Sequence, residues 1–113
     1  NAVIMSLASK SVTTPIAMEV TQALGGIPSL TAAIVVITGL IGAIIGFKTL
    51  SVGHVHNPMA LGLSMGAASH ALGTSAAMDR DQFMGAYASL GLTLNGILTA
   101  LLTPTVIDII NTF

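Results

Sequence analysis

Three long segments of this 113-residue chain contain no Asp, Glu, Lys or Arg. They run from Val20 to Phe47, from Thr49 to Met78 and from Gln82 to Ile107. Each is longer than the roughly 20 residues that an α-helix needs to cross a bilayer. A soluble protein has about 25% charged residues, whereas this chain has 6%, too few to cover a surface that faces water. The composition therefore predicts an integral membrane protein in contact with the lipid bilayer.

Small side chains are frequent in these segments, and the chain has 12 glycines. Small residues let the backbones of membrane helices approach closely. Gly39, Gly42 and Gly46 share one face of a predicted helix, and we expect this face to contact another helix. The chain is therefore predicted to form an all-α, polytopic membrane helix bundle rather than a single anchor.

The composition and motifs argue against several classes of function. The chain has no cysteine and hence no disulfide or thiolate metal site. A formal net charge of −1 provides no basic patch for nucleic acid. The sequence contains no G-x-S-x-G, H-E-x-x-H or phosphate-loop motif. We expect neither an enzyme nor a protein that needs a cofactor.

The most polar stretch in an apolar setting is Lys10–Glu19, with sequence KSVTTPIAME. The preceding apolar run is only about two helical turns long, and Pro15 biases Thr14 away from helical geometry. Proline is well tolerated in the first turn of a helix, and Thr13 or Thr14 could cap a helix that begins there. Residues 2–24 are therefore predicted to form a discontinuous membrane helix of two pieces joined by a polar turn.

This turn carries groups that suit an anion. Lys10 supplies a positive charge, Ser11, Thr13 and Thr14 supply hydroxyls, and the start of the second helical piece supplies free N–H groups. The alternative is that Lys10 and Glu19 lie at the membrane interface and Pro15 only marks a helix start.

A second polar group lies in the helix predicted for residues 58–77. It contains Ser69, His70 and Thr74, and we expect the helix to loosen near Gly73. Because imidazole titrates near neutral pH, His70 is a candidate substrate ligand or proton-coupling residue. The alternative is a structural hydrogen bond between helices.

The rest of the chain is divided by its prolines and polar residues. We predict a membrane span over residues 29–47, a loop over 48–57, a span over 82–102 and a short tail over 104–113. His54 and His56 lie two residues apart in the loop, but no third ligand is near, so no metal site is predicted. Asn95, an amide well inside the last span, is expected to form an interhelical hydrogen bond.

Two motifs resemble those of a known family. The sequence KSVTTPIAM at 10–18, followed by GGIP at 25–28, resembles a signature of the LrgB/CidB family. The pattern GLxMGxxSHAxGT at 62–74 resembles its second signature. Members of that family are about twice as long, so residues 1–113 resemble the single transmembrane domain of the C-terminal half. If the family uses inverted repeats, the other half should hold a matching discontinuous helix.

The resemblance implies two functions. The family is described as antiholin-like, modulating murein hydrolase activity and cell lysis together with small holin-like LrgA/CidA membrane proteins. Relatives are also associated with movement of pyruvate in bacteria and of glycolate and glycerate in plastids. These descriptions imply a location in the bacterial cytoplasmic (inner) membrane or the plastid envelope, and we expect a homo-oligomer.

The polar residues favour transport of a small monocarboxylate, with antiholin-like lysis control as the alternative. A small carboxylate anion needs paired donors, which Lys10, Ser11, Thr13 and Thr14 would supply. The opposite wall of the site would contain Ser69, His70 and Thr74.

Overall fold

The computed structural model describes all residues, 1–113, and contains five α-helices and no β-strand. In chain order they are α1 (Ala2–Leu7), α2 (Thr14–Ala23), α3 (Pro28–Val52), α4 (Pro58–Arg80) and α5 (Gln82–Thr112). The all-helical prediction is confirmed.

Prolines and capping side chains mark where most of the helices begin. Pro15, Pro28 and Pro58 each lie in the first turn of a helix, where the missing N–H removes no intrahelical hydrogen bond. The Asn57 side chain accepts from two first-turn N–H groups of α4 at 2.9 and 3.4 Å. The Asp81 side chain accepts from one N–H of α5 at 3.1 Å. These caps satisfy donors that a helix start leaves without partners.

The third helix is longer than the span predicted for residues 29–47. Because α3 continues to Val52, the predicted loop over 48–57 is reduced to residues 53–57. The prediction ended the helix at Lys48 because that residue is charged. Lysine is a good helix former, and the Lys48 side chain is exposed. The helix ends instead at Gly53, its C-cap residue.

The last two helices also exceed their predicted bounds. The fourth helix ends at Arg80 rather than at residue 77, and α5 continues through Pro104 to Thr112. The separate tail predicted for residues 104–113 is therefore part of α5. Pro104 removes the backbone donor that would bond to the carbonyl of Ala100. In the next position the Thr105 hydroxyl donates to the carbonyl of Leu101 at 3.5 Å.

Glycines bring the backbones of α4 and α5 into direct contact. A Cβ atom on Gly91 would lie 2.5 Å from the Leu63 carbonyl oxygen. A Cβ atom on Gly66 would overlap the carbonyl of Ala88. No larger residue fits at these positions without separating the helices, as expected for close packing of small residues.

The predicted glycine face of α3 packs against α4. One α4 side chain occupies the space above each glycine; the pairs are Gly39 with His70, Gly42 with Ser69, and Gly46 with Met65. The prediction that this face contacts another helix is confirmed.

The large apolar side chains of α3 and α5 are mostly exposed. Both helices are long and apolar enough to cross a membrane, and in their most apolar windows only 22% and 11% of residues are buried. Of the predicted membrane segments, only the two that became α3 and α5 meet the criterion by length and composition. The pieces α1 and α2 are too short, and α4 is less apolar because it contains serines, a histidine and many small residues.

Candidate functional site

Residues 8–13 separate α1 from α2 and are called the first interruption below. Thr13 is the N-cap residue of α2, but its side chain makes no capping hydrogen bond. The first backbone bond of α2 runs from the Ala17 N–H to the Thr13 carbonyl at 2.9 Å. The N–H groups of Thr14 and Ile16 make no hydrogen bond within the chain, and Pro15 has none. The start of α2 therefore presents free donors.

The predicted anion-binding side chains lie around this start. Lys10 is exposed, and its Nζ donates to Ser11 Oγ at 3.2 Å. Ser11, Thr13 and Thr14 are half-buried. The positive charge and the hydroxyls therefore lie in the segment that leads into the free N–H groups of α2.

Ser69 and His70 interrupt α4 and are called the second interruption. Ser69 has φ −124° and ψ 17°, and His70 has φ 42° and ψ −131°. The predicted position near Gly73 was wrong by three to four residues. A Cβ atom on Gly73 would lie 2.6 Å from the Ser69 Cβ and would overlap the Met65 carbonyl. Gly73 thus permits close packing beside the interruption and is not the point where the helix breaks.

His70 of the second interruption hydrogen-bonds within the protein through both its ring and its carbonyl. His70 Nε2 lies 2.8 Å from the Val35 carbonyl oxygen of α3. Because a carbonyl only accepts, Nε2 carries the hydrogen in this contact. The Thr74 hydroxyl donates to the His70 carbonyl at 2.8 Å. His70 therefore has the interhelical hydrogen bond of the structural alternative.

The two interruptions meet at Asn95 of α5. Its Nδ2 donates to the carbonyl of Ser11, in the first interruption, at 2.9 Å. It also donates to the carbonyl of Ala67, just before the second interruption, at 2.7 Å. The predicted interhelical bond of Asn95 is confirmed, and the meeting point is called the junction below.

Val35 of α3 also links the two interruptions. Its carbonyl accepts the His70 hydrogen bond, and its side chain packs with buried Val12 and Ala17. No hydrogen bond joins the predicted side chains of one interruption to those of the other. Their role in substrate binding stays a prediction.

A row of buried hydroxyls that the sequence did not predict joins α1, α2 and α3. Ser9 Oγ contacts Thr21 Oγ1 at 3.1 Å, and Thr21 Oγ1 contacts Thr31 Oγ1 at 2.9 Å. The row ends at two carbonyls: Ser9 donates to that of Ala17 at 3.0 Å, and Thr31 donates to that of Ser6 at 2.9 Å. All five residues are at most 1% exposed. We call this set the hydroxyl row.

The LrgB-like family model matches residues 1–109. A protein of Haemophilus influenzae without an assigned function is 47% identical over 104 residues, which cover 92% of this chain and 45% of that protein. The holin-like protein CidB of Staphylococcus aureus is 38% identical over 105 residues, which cover 93% of this chain and 46% of that protein. Protein YxaC of Bacillus subtilis is 36% identical over 104 residues, which cover 92% of this chain and 45% of that protein. No solved structure matches the chain.

These similarities cover almost the whole chain, which spans a little under half the length of the relatives it matches. The two exposed apolar helices and the holin-like relatives together indicate a membrane protein. The LrgB/CidB resemblance is confirmed, and the chain belongs to the LrgB-like family.

Proposed function

We propose that the chain is part of a polytopic membrane protein with an antiholin-like role in lysis control. In this proposal α3 and α5 cross the bilayer, and the two interrupted helices lie against them. The protein acts in the bacterial cytoplasmic membrane with a small LrgA/CidA-type partner and controls murein hydrolase activity and lysis. The observation that carries the proposal is the similarity to holin-like protein CidB along nearly the whole chain.

The exposed surface suits such an assembly. Ile44 of α3 is 78% exposed and Leu101 of α5 is 67% exposed. Apolar faces of this kind are stable against lipid or against other membrane helices. A second copy of the protein and the helices of a partner are both compatible occupants.

The experiment is a deletion of the gene that encodes this chain, with measurement of autolysis rate and murein hydrolase activity. We expect both to change, wild-type protein to restore them, and the effect to require the holin-like partner gene. Gly42→Leu should fail to restore them because a side chain there collides with Ser69. Ala33→Leu, on the exposed side of α3, is the matched control. Unchanged autolysis after deletion would refute the proposal.

A second candidate function is transport of a small monocarboxylate such as pyruvate, glycolate or glycerate. It is favoured by the junction, because interrupted helices that meet in a membrane expose backbone donors to a bound anion. Lys10 and the free N–H groups of α2 would bind the carboxylate with Ser11, Thr13 and Thr14. Ser69, His70 and Thr74 would form the other wall, and His70 must then exchange its bond to Val35 during transport.

Uptake of labelled pyruvate and glycolate into proteoliposomes tests this candidate. Lys10→Ala should reduce uptake at least tenfold because the carboxylate loses its only cationic partner, and Lys10→Arg should retain part of it. Lys48→Ala removes an exposed lysine of α3 and is the control. If wild-type protein transports neither anion, the candidate fails whatever the lysis assay shows.

A further inference from the structure

The hydroxyl row has one hydrogen fewer than its contacts require. Its five oxygens form four contacts, at 3.0, 3.1, 2.9 and 2.9 Å. The carbonyls at both ends cannot donate, and each of the three hydroxyls between them has one hydrogen. Three hydrogens can fill only three of the four contacts. Two buried oxygens therefore face each other with lone pairs alone, which is unfavourable away from water.

The missing hydrogen cannot come from a neighbouring group. The Ser6 hydroxyl donates to the Ala2 carbonyl at 2.7 Å, while accepting from the Ile27 N–H at 2.7 Å. The Ile27 carbonyl, 3.3 Å from Thr31 Oγ1, is one more acceptor. Ser9 donates to the Ala17 carbonyl and Thr31 donates to the Ser6 carbonyl. When Thr21 donates to Thr31, no hydrogen lies between Ser9 Oγ and Thr21 Oγ1. This contact is also the longest, at 3.1 Å.

We propose that the hydroxyl row binds a sodium ion next to the Ser9–Thr21 contact. A cation next to two oxygen atoms that have no hydrogen between them offsets the repulsion of their lone pairs. Hard cations prefer oxygen ligands. The group offers three hydroxyl oxygens and three carbonyl oxygens, those of Ser6, Ala17 and Ile27. Small local shifts of the hydroxyls would admit the ion, because each is held by a rotatable side chain.

Two further features favour a single positive charge. The row contains no carboxylate, and the nearest acidic residue on α2, Glu19, is exposed. Divalent cations are normally bound with carboxylates. The Ser6 carbonyl lies in the last turn of α1 and accepts no backbone hydrogen bond. Such carbonyls at the ends of interrupted helices coordinate sodium in transporters. The proposal depends on neither function above.

The test measures thermal unfolding of the purified protein in detergent in NaCl, KCl and choline chloride at equal ionic strength. Sodium should raise the unfolding midpoint by several degrees in a saturable manner, as expected for a ligand of the folded state. Potassium and choline should not. Binding of radioactive sodium should saturate, and excess unlabelled sodium should displace it.

Thr21→Val keeps the side-chain shape but removes the central hydroxyl, so it should abolish both sodium effects. Thr93→Val is the control, because that hydroxyl is exposed and donates only within α5, to Ser89 at 2.9 Å. Equal midpoints in sodium and potassium, or a sodium response that persists in Thr21→Val, would overturn the proposal. If Thr21→Val does not fold, Ser9→Ala replaces it, and the wild-type comparison of sodium with potassium still decides.

Discussion

Asn95 joins the two interruptions with both hydrogens of a single amide group. The carbonyl of Ala67 would normally accept a helical hydrogen bond from residue 71, but the non-helical Ser69 and His70 lie between those positions. The carbonyl of Ser11 lies in a turn. Asn95 therefore donates to backbone carbonyls at the two places where helical geometry is interrupted.

Replacement of Asn95 tests this role. Asn95→Ala removes both donors, and Asn95→Asp replaces them with an acceptor that faces two carbonyl oxygens. We expect Asn95→Ala to lower the free energy of unfolding by about 1–2 kcal/mol, and Asn95→Asp to lower it further. Chemical unfolding in mixed micelles measures both.

Thr93→Ala, two residues away on an exposed face of α5, should change the free energy of unfolding little. If Asn95→Ala is as stable as Thr93→Ala, the two hydrogen bonds contribute nothing and the junction is not held by Asn95.

His70 has a backbone conformation that side chains rarely adopt, with φ 42°. Both His70→Ala and His70→Gly lose the hydrogen bond to the Val35 carbonyl, but only glycine adopts positive φ without strain. We expect His70→Gly to be more stable than His70→Ala by about 1 kcal/mol, measured by thermal or chemical unfolding.

Ser75 supplies the opposite case because it is exposed in the helical part of α4 after the interruption. There alanine should be more stable than glycine by about 1 kcal/mol. If the same substitution, to alanine or to glycine, gave the more stable protein at both residues 70 and 75, the interruption at His70 would be contradicted.

At the residue scale, single unusual residues could be predicted from the sequence better than groups of residues that meet only in the fold. Asn95 was recognisable as an amide among apolar residues, and Lys10 as a charge five residues before a proline. The hydroxyl row was not predictable, because Ser9 of the first interruption, Thr21 of α2 and Thr31 of α3 come from separate parts of the chain with no common spacing. Only the packing of α1 and α2 on α3 brings them together.

At the element scale, glycines set the distance between α3 and α4. A Cβ atom on Gly42 would overlap the Ser69 side chain, so Gly42→Ala must push the helices apart near the second interruption. We expect a loss of about 1–3 kcal/mol in the free energy of unfolding, measured by chemical unfolding in micelles.

Gly53→Ala is the matched control, since its Cβ would meet its nearest neighbour at an ordinary 3.5 Å. It should keep or slightly raise stability because alanine restricts the unfolded chain. An unchanged stability in Gly42→Ala would mean that α3 and α4 do not pack through this face.

Helix starts were predicted more accurately than helix ends for a physical reason. Proline and capping residues act locally, so Pro15, Pro28 and Pro58 are readable in the sequence. The end of α3 and the continuation of α5 through Pro104 depend on the environment around each helix, which the local sequence does not specify. The second interruption was misplaced because glycine at residue 73 was interpreted as flexible, whereas it allows a close approach.

At the scale of the whole molecule, the two interruptions lie within one chain and are linked through Asn95 and Val35. A matching discontinuous helix in the other half of the protein stays a prediction, and α4 supplies a second interruption within this chain. Interrupted helices leave backbone groups without helical partners, and in an apolar setting those groups must find partners in the protein. Asn95 is such a partner, because it donates to the carbonyls of Ser11 and Ala67.

Cross-linking across the junction tests this account most directly, and the absence of native cysteines makes it practicable. The protein would carry Ser11→Cys and Ala67→Cys, with a protease site inserted in the loop at residues 53–57. The reagent is a short bifunctional thiol linker, applied in native membranes. The control pairs Ser11→Cys with Thr112→Cys, because Thr112 lies 17 residues beyond Asn95, about 25 Å along α5.

We predict that after proteolysis the two fragments of the Ser11–Ala67 pair stay linked, while those of the Ser11–Thr112 pair separate. Separation of both pairs would contradict the meeting of the two interruptions.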